Sequence, residues 1–322
     1  MIKVIRYNKS LKLEWDNFVK KSKNGLFLFQ RDFMDYHKHR FSDHSLLVYI
    51  NNNLQALLPA NIVGQKIISH EGLTFGGLIV ENNICLKNYL IIIKNVLLYL
   101  EEIEVSKLLY KSIPLFYYSL QSQEEHFFLN IINANCFRVD TSITINLSNK
   151  LEYQKRRKRS IIKSKKIDLK IENNDNFKLF WEKILIPNLK VRFGVKPVHS
   201  LDEILHLKSK FPNNIHQINI FHENQIIAGS TIFESDNVAH SQYISSNNYG
   251  RSSGALDSLF DFMISDLFAN KNYFSMGICN EENGKKINHG LLDWKEGLGG
   301  RTYTNSFYEI LTSNHYLLNS FI

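Results

Sequence analysis

Tyr243-Ile244-Ser245-Ser246-Asn247-Asn248-Tyr249-Gly250-Arg251-Ser252-Ser253-Gly254-Ala255-Leu256 is the stretch that decides how this chain is read. Strand residues run into a loop with two glycines, and a helix opens at once. The first N–H groups of a helix lack partners within it, and together with the helix dipole they favour a phosphate. Glycine lets such a backbone come close to a ligand. The stretch is not a Walker loop, because no Gly-Lys-Ser/Thr is present, and it is not a GxGxxG fingerprint. Two readings of these residues stand side by side: a pyrophosphate cradle over residues 250–255, and an ordinary turn with a Ser N-cap.

Working outward, the two halves of the chain repeat one order of elements. In the first, residues 46–50, 54–62 and 66–69 read as strands. A Gly-rich stretch (Gly72, Gly76, Gly77) follows, then a helix over about 86–102 with Leu97, Leu98 and Leu100 inward, then a strand at 107–111. In the second, strands at 217–222, 225–234 and 238–246 precede the loop. A helix with Leu256, Leu259/Phe260, Met263 and Leu267 on one face comes next, then a strand at 273–278. Helical spacing and Asn/Asp turn residues carry both assignments. The seam is expected near residue 147, giving domains 1–147 and 148–322.

This order, with Arg251-Ser252-Ser253-Gly254-Ala255 at its centre, resembles the GNAT acyltransferase superfamily, whose pyrophosphate loop runs Arg/Gln-x-x-Gly-x-Gly/Ala. Leu256 stands where Gly or Ala is usual. Trp294-Lys295 before Gly299-Gly300 resembles the signature of the FemAB-like branch of tandem GNAT proteins, with Leu298 in place of the usual aromatic. Residues 27–37, 57–61, 69–78 and 192–200 are similar to sugar N-acyltransferases of surface-polysaccharide (lipopolysaccharide, O-antigen) pathways. The resemblance implies an α+β fold of two tandem GNAT-like domains, each a mixed, mostly antiparallel sheet flanked by helices. It implies coenzyme A held by Tyr243, Ile244, Ser245, Gly250, Arg251, Ser252, Ser253, Gly254, Ala255 and Asn288. It puts Lys295 at the acyl centre; a lysine that complements a helix C-terminus is the other reading.

Composition fits a globular chain: 322 residues, 39 Lys+Arg against 31 Asp+Glu, 44% apolar, 5 Pro and 15 Gly. Collagen-like, disulfide-rich and disordered classes are excluded. Cys85, Cys136 and Cys279 form no CxxC pair, which argues against a zinc knuckle or redox dithiol. His37, His39 and His44 have no metal-ligand spacing, so no metal is expected. Residues 1–7 lack an apolar export segment, and the apolar run 89–100 is short and holds Lys94, so a cytoplasmic protein without membrane insertion is expected. The basic run Lys155-Arg156-Arg157-Lys158-Arg159, with Lys163, Lys165 and Lys166, reads as a solvated helix face or an anion-attracting patch ahead of a nucleic-acid site.

The resulting expectation is an acyl-CoA-dependent N-acyltransferase acting by direct attack in a ternary complex. Its acceptor would be a nucleotide-linked amino sugar of the dTDP-3-amino-3,6-dideoxyhexose kind. The acceptor would lie between the halves and touch His70, Thr74, Phe75, Arg192, Lys196, His199 and Gln242, with His199 or His70 as base. The first half would bind no CoA. The alternatives are a FemX-like aminoacyl-tRNA-dependent ligase and a non-catalytic RNA-binding protein.

Overall fold

Tyr89, Leu90, Ile93, Val96, Leu97 and Leu100 recur at helical spacing, and the helix Leu86–Glu102 buries all six; Leu98 is half-buried at its margin. A computed structural model describes residues 1–322. The chain forms two units, Met1–Asp140 with Thr304–Ile322, and Thr141–Tyr303.

The first unit contains strands β1 (Ile2–Arg6), β2 (Leu46–Ile50), β3 (Asn53–Leu58), β4 (Asn61–Val63), β5 (Lys66–Ile68), β6 (Ile79–Val80) and β7 (Lys107–Lys111). Its helices are α1 (Lys12–Lys21), α2 (Arg31–Met34), α3 (Leu86–Glu102) and α4 (Glu124–Ile131). Strands β1, β2, β3 and β6 form one antiparallel sheet, and β5 pairs parallel with β7. The apolar face of α3 packs with Leu46, Val48, Leu58 and Leu108 in the core.

The chain enters the second unit along β8 (Asn135–Asn146). It continues through α5 (Lys155–Ser164), β9 (Leu169–Asn173), α6 (Phe177–Phe180), a π turn (Trp181–Leu185), α7 (Ile186–Phe193) and α8 (Leu201–Lys210). The meander β10 (Ile215–His222), β11 (Gln225–Glu234) and β12 (Val238–Ser246) follows, then α9 (Asn248–Ser253), α10 (Ala255–Phe262) and a second π turn (Met263–Leu267). Strand β13 (Tyr273–Ile278), the small hairpin β14 (Asn280–Glu281) and β15 (Lys286–Ile287), and α11 (His289–Gly297) complete it. The sheet order is β8-β13-β12-β11-β10-β9, with Ile218, Ile232, Leu259, Phe260, Met263 and Phe274 in its core.

The last strand, β16 (Arg301–Leu311), returns the chain to the first unit. Its residues Phe307–Leu311 pair antiparallel with β7, and Ile310 and Leu318 enter the first unit's core. The sequence-based boundary at residue 147 therefore places residues 304–322 in the wrong half. A pairing across about 200 residues leaves no local trace in the pattern.

Candidate functional site

The site begins where two strands part. β12 and β13 pair in parallel only at Val238↔Tyr273, Ala239↔Phe274 and His240↔Ser275. β12 then runs on to Ser246 paired only with β11. Two residues past His240 a bulge at Gln242 (Thr231 faces Tyr243, Ile232 faces Ser241) bends β12 and increases its twist. The result is a fork whose inner edge on β12 has no strand partner.

Charged and polar side chains converge on the fork. Lys295, 2% exposed, donates from Nζ to the carbonyls of Gly277 (3.0 Å) and Ile278 (2.9 Å) at the end of β13. An ammonium carries three hydrogens, and the Cys279 sulfur takes the third. Burial pushes the Lys295 pKa down to about 8, against an opposing pull from the neighbouring Cys279 thiol. Burial likewise raises Cys279. His240 lies across the fork, with its Cε1 3.6 Å from where a Cβ on Gly277 would stand. Its Nδ1 is 3.0 Å from Ser275 Oγ. Burial, and then the Lys295 charge, push His240 down to about 4, so the ring is neutral at pH 7.

Three helices hold Lys295 in place. Asp257 of α10, 4% exposed, accepts from Arg157 Nη1 of α5 (2.9 and 3.0 Å) and from Trp294 Nε1 of α11 (2.8 Å). Trp294 also packs edge-on against Phe260 at 4.9 Å. The Trp of the Trp-Lys pair thus anchors α11, and the next residue reaches the fork. Arg157 is consequently no part of a solvated basic face. Arg156 pairs with Asp293, and Lys158 with Glu152 at 2.6 Å.

The expected pyrophosphate cradle is built differently. Residues 248–253 form a short helix N-capped by Asn247, not an open loop. The N–H of Gly250 donates to Asn247 Oδ1 (2.8 Å), that of Arg251 to the Asn247 carbonyl, and that of Gly254 to the Gly250 carbonyl. Arg251 is engaged with Asn188 Oδ1, the Ser246 carbonyl (2.6 Å) and Asn248. Ser252 and Ser253 hydroxyls donate to carbonyls within the same turn. Gly254 has φ +80°, and a Cβ there would lie 2.5 Å from Ser160 Oγ and 2.9 Å from the Ser160 carbonyl of α5. The glycine makes room for the protein's own helix. Gly254, Ala255 and Asp257 are buried. Asn288 caps α11, accepting from the Leu291 N–H and donating to Glu281, so both ends of its amide are occupied.

Other expected residues take structural positions. The OH of Tyr243 accepts from the His199 N–H (3.0 Å) and meets His199 Nδ1 (2.6 Å), while Trp181 Nε1 donates to the His199 carbonyl (3.2 Å). His199 is a buried clamp at the base of the loop after α7. Ser245 Oγ accepts from Asn188; Ile244 and Gln242 are half-buried, while Arg192 and Lys196 are exposed. In the first unit Thr74 is exposed, whereas Phe75 sits in the core 4.9 Å from Tyr117. His70 is 4% exposed with φ +54°, and burial, then His37 and Lys111, push its pKa down to about 3. Lys111 donates to the Leu73 carbonyl and is pushed down to about 7 by burial. A Cβ on Gly72 would collide with the His37 ring, so this glycine too faces the protein itself. His240 escaped the sequence reading because a lone His inside a strand has no spacing signal.

No protein-family profile and no curated protein matches the chain. Solved structures do. FemX superposes with TM-score 0.66 at 12% identity, covering 98% of this chain and 99% of that one. L-PGS from Bacillus licheniformis superposes with TM-score 0.61 at 11% identity, covering 96% of each chain. A tandem GNAT protein from the clavulanic acid biosynthesis pathway gives 0.52 at 8% identity, covering 97% and 99%. The fold is the mixed α/β tandem GNAT-like architecture expected from the sequence.

Proposed function

We propose that this protein transfers an acyl group to an amine at the β12–β13 fork, with acyl-CoA as donor and a nucleotide-linked amino sugar as acceptor. One observation carries the reading: the strands part at His240↔Ser275, and a buried Lys295 and a neutral His240 flank the opening. A thioester arm entering the fork would lie along β12 past His240, where β13 has left it. The amine lone pair forms the C–N bond as the carbonyl electrons move onto oxygen, and β12 N–H groups would receive that oxyanion. On collapse the C–S bond breaks and its electron pair leaves with sulfur, next to the buried Lys295 ammonium. The amine's proton passes to the neutral His240 ring or to water. Holding amine and carbonyl together would supply much of the acceleration. Likeness of residues 69–78 to sugar N-acyltransferases supports the acceptor class.

A second reading, transfer from an aminoacyl-tRNA, also fits, because the first turn of α10 is buried under α5 and the phosphate-bearing end of either donor would meet Lys163, whose Nζ lies 3.0 Å from the Ser252 carbonyl. Coenzyme A and an aminoacyl-tRNA share that chemistry. The test is product formation from labelled acyl-CoA, or from labelled aminoacyl-tRNA, with nucleotide-linked amino sugars as acceptors. Transfer from acyl-CoA without tRNA supports the first reading. A strict need for charged tRNA overturns it in favour of the second, and no transfer from either removes both.

A further inference from the structure

We infer that α7 and the loop after it, residues 194–198, dock this protein onto an anionic lipid surface. None of the eight residues of α7 is buried, although Ile186, Leu189, Val191 and Phe193 are apolar. Val191 is 84% exposed, Phe193 52%, Val195 51% and Val198 71%. A helix normally forms because one face is covered; here three large apolar side chains in eight residues, Ile186, Val191 and Phe193, face water. Lys183, Lys190, Arg192 and Lys196 lie among them, and no acidic residue occurs between Glu182 and Asp202. The Arg192 guanidinium lies over the Phe193 ring at 5.3 Å, so charge and apolar surface are interleaved.

The base of this projection is fixed. Trp181, Ile184 and Leu185 of the preceding π turn are buried, and the Trp181–His199 hydrogen bond ties the two ends together. Docking would therefore order little extra chain. Apolar side chains entering the headgroup boundary while Lys and Arg meet phosphates is the pattern of an interfacial anchor. A second copy of the chain is the poorer complement, because it would bring four further cations against these four. No helix is long and apolar enough to cross a membrane, so the contact lies on the surface. The inference does not depend on the chemistry at the fork.

The test is flotation of the full chain with phosphatidylcholine vesicles, with and without phosphatidylglycerol. Binding is expected only with phosphatidylglycerol. Val191→Ser/Phe193→Ser/Val198→Ser should weaken it at least about tenfold. Lys190→Gln/Arg192→Gln/Lys196→Gln should weaken it roughly a hundredfold, about fivefold per cation. Val195→Trp should show a blue-shifted emission on adding the anionic vesicles. Absence of binding to anionic vesicles overturns the proposal. So does binding that survives the apolar triple variant but falls with Lys155→Gln/Arg159→Gln, which would mean diffuse attraction to α5. Light scattering that shows a dimer dissociated by the apolar variant also overturns it, since a second copy would then cover the patch.

Discussion

Replacing Lys295 with Met separates the chemistry of this residue from its structural cost. Its folded pKa of about 8 against an ordinary 10.5 corresponds to about 3 kcal/mol spent on keeping the ammonium charged inside the protein at pH 7. Between pH 8 and 10.5 the unfolded chain still holds a proton that the folded chain has released. Wild-type stability therefore gains up to that amount as pH rises through this window. Met removes the cost and the slope together, but leaves the Gly277 and Ile278 carbonyls without their donor, worth about 1–2 kcal/mol each. The two nearly cancel, so urea unfolding followed by Trp fluorescence should put the variant within about 2 kcal/mol of wild type at pH 7. Near pH 10 the variant should be less stable than wild type, because only wild type gains stability through that window. Acyl transfer should fall in kcat by about a hundredfold or more, with KM changed far less. A kcat within roughly threefold of wild type removes Lys295 from the mechanism. A loss of more than about 4 kcal/mol would show that the lysine is a structural anchor and refute the charge argument.

His240→Gln should lower kcat and abolish an acidic limb near pH 4, because the wild-type ring is neutral, and able to take a proton, only above its depressed pKa; a pH–kcat profile identical to wild type would exclude it. Gly254→Ala should destabilise the protein by about 2–4 kcal/mol in urea melts, combining the left-handed backbone with the approach to Ser160, and Ser160→Gly should recover part of this. A Gly254→Ala variant of unchanged stability and lost donor binding would restore the cradle reading. Asp257→Ala should cost about 3–5 kcal/mol by leaving the Arg157 charge without its partner, and a change below about 1 kcal/mol would mean that the α5–α10–α11 network is incidental. Donor KM should rise steeply with ionic strength, since side-chain cations rather than buried amides would meet the phosphates; a KM indifferent to salt would contradict this.

Most of the secondary structure was legible because local rules dictated it. The helix at 86–102 and the strands at 46–50, 107–111, 225–234, 238–246 and 273–278 lie where periodicity and turn residues put them. Lys295 was legible only through the Trp-Lys resemblance; nothing in the spacing of α11 says that its last turn is buried. Three features could not be read, and each depends on atoms far apart in sequence. Ser160 closes against Gly254 from 94 residues away, turning an apparent ligand cradle into a helix contact. The bulge at Gln242 comes from β11 and β12 falling out of register. β16 finds its partner in β7, which moves the domain boundary.

Burying Lys295 is the most demanding thing this unit does, and the surrounding network follows from it. A desolvated ammonium aimed at a strand end is useful only if it cannot swing away to water. α11 alone offers no guarantee of that, being nine residues long with the lysine in its last turn. The restraint comes from the residue before: Trp294 is fixed by a hydrogen bond to Asp257 and by the Phe260 ring. Asp257 in turn needs a cation to be tolerated at 4% exposure, and α5 supplies Arg157. To deliver that guanidinium, α5 must lie close along α10, which is why Ser160 reaches Gly254 and why residue 254 has to be glycine. The same packing that positions Lys295 therefore closes the first turn of α10 and brings Lys163 of α5 to the Ser252 carbonyl. On the proposed function, donor recognition and lysine placement would be two consequences of one helix contact.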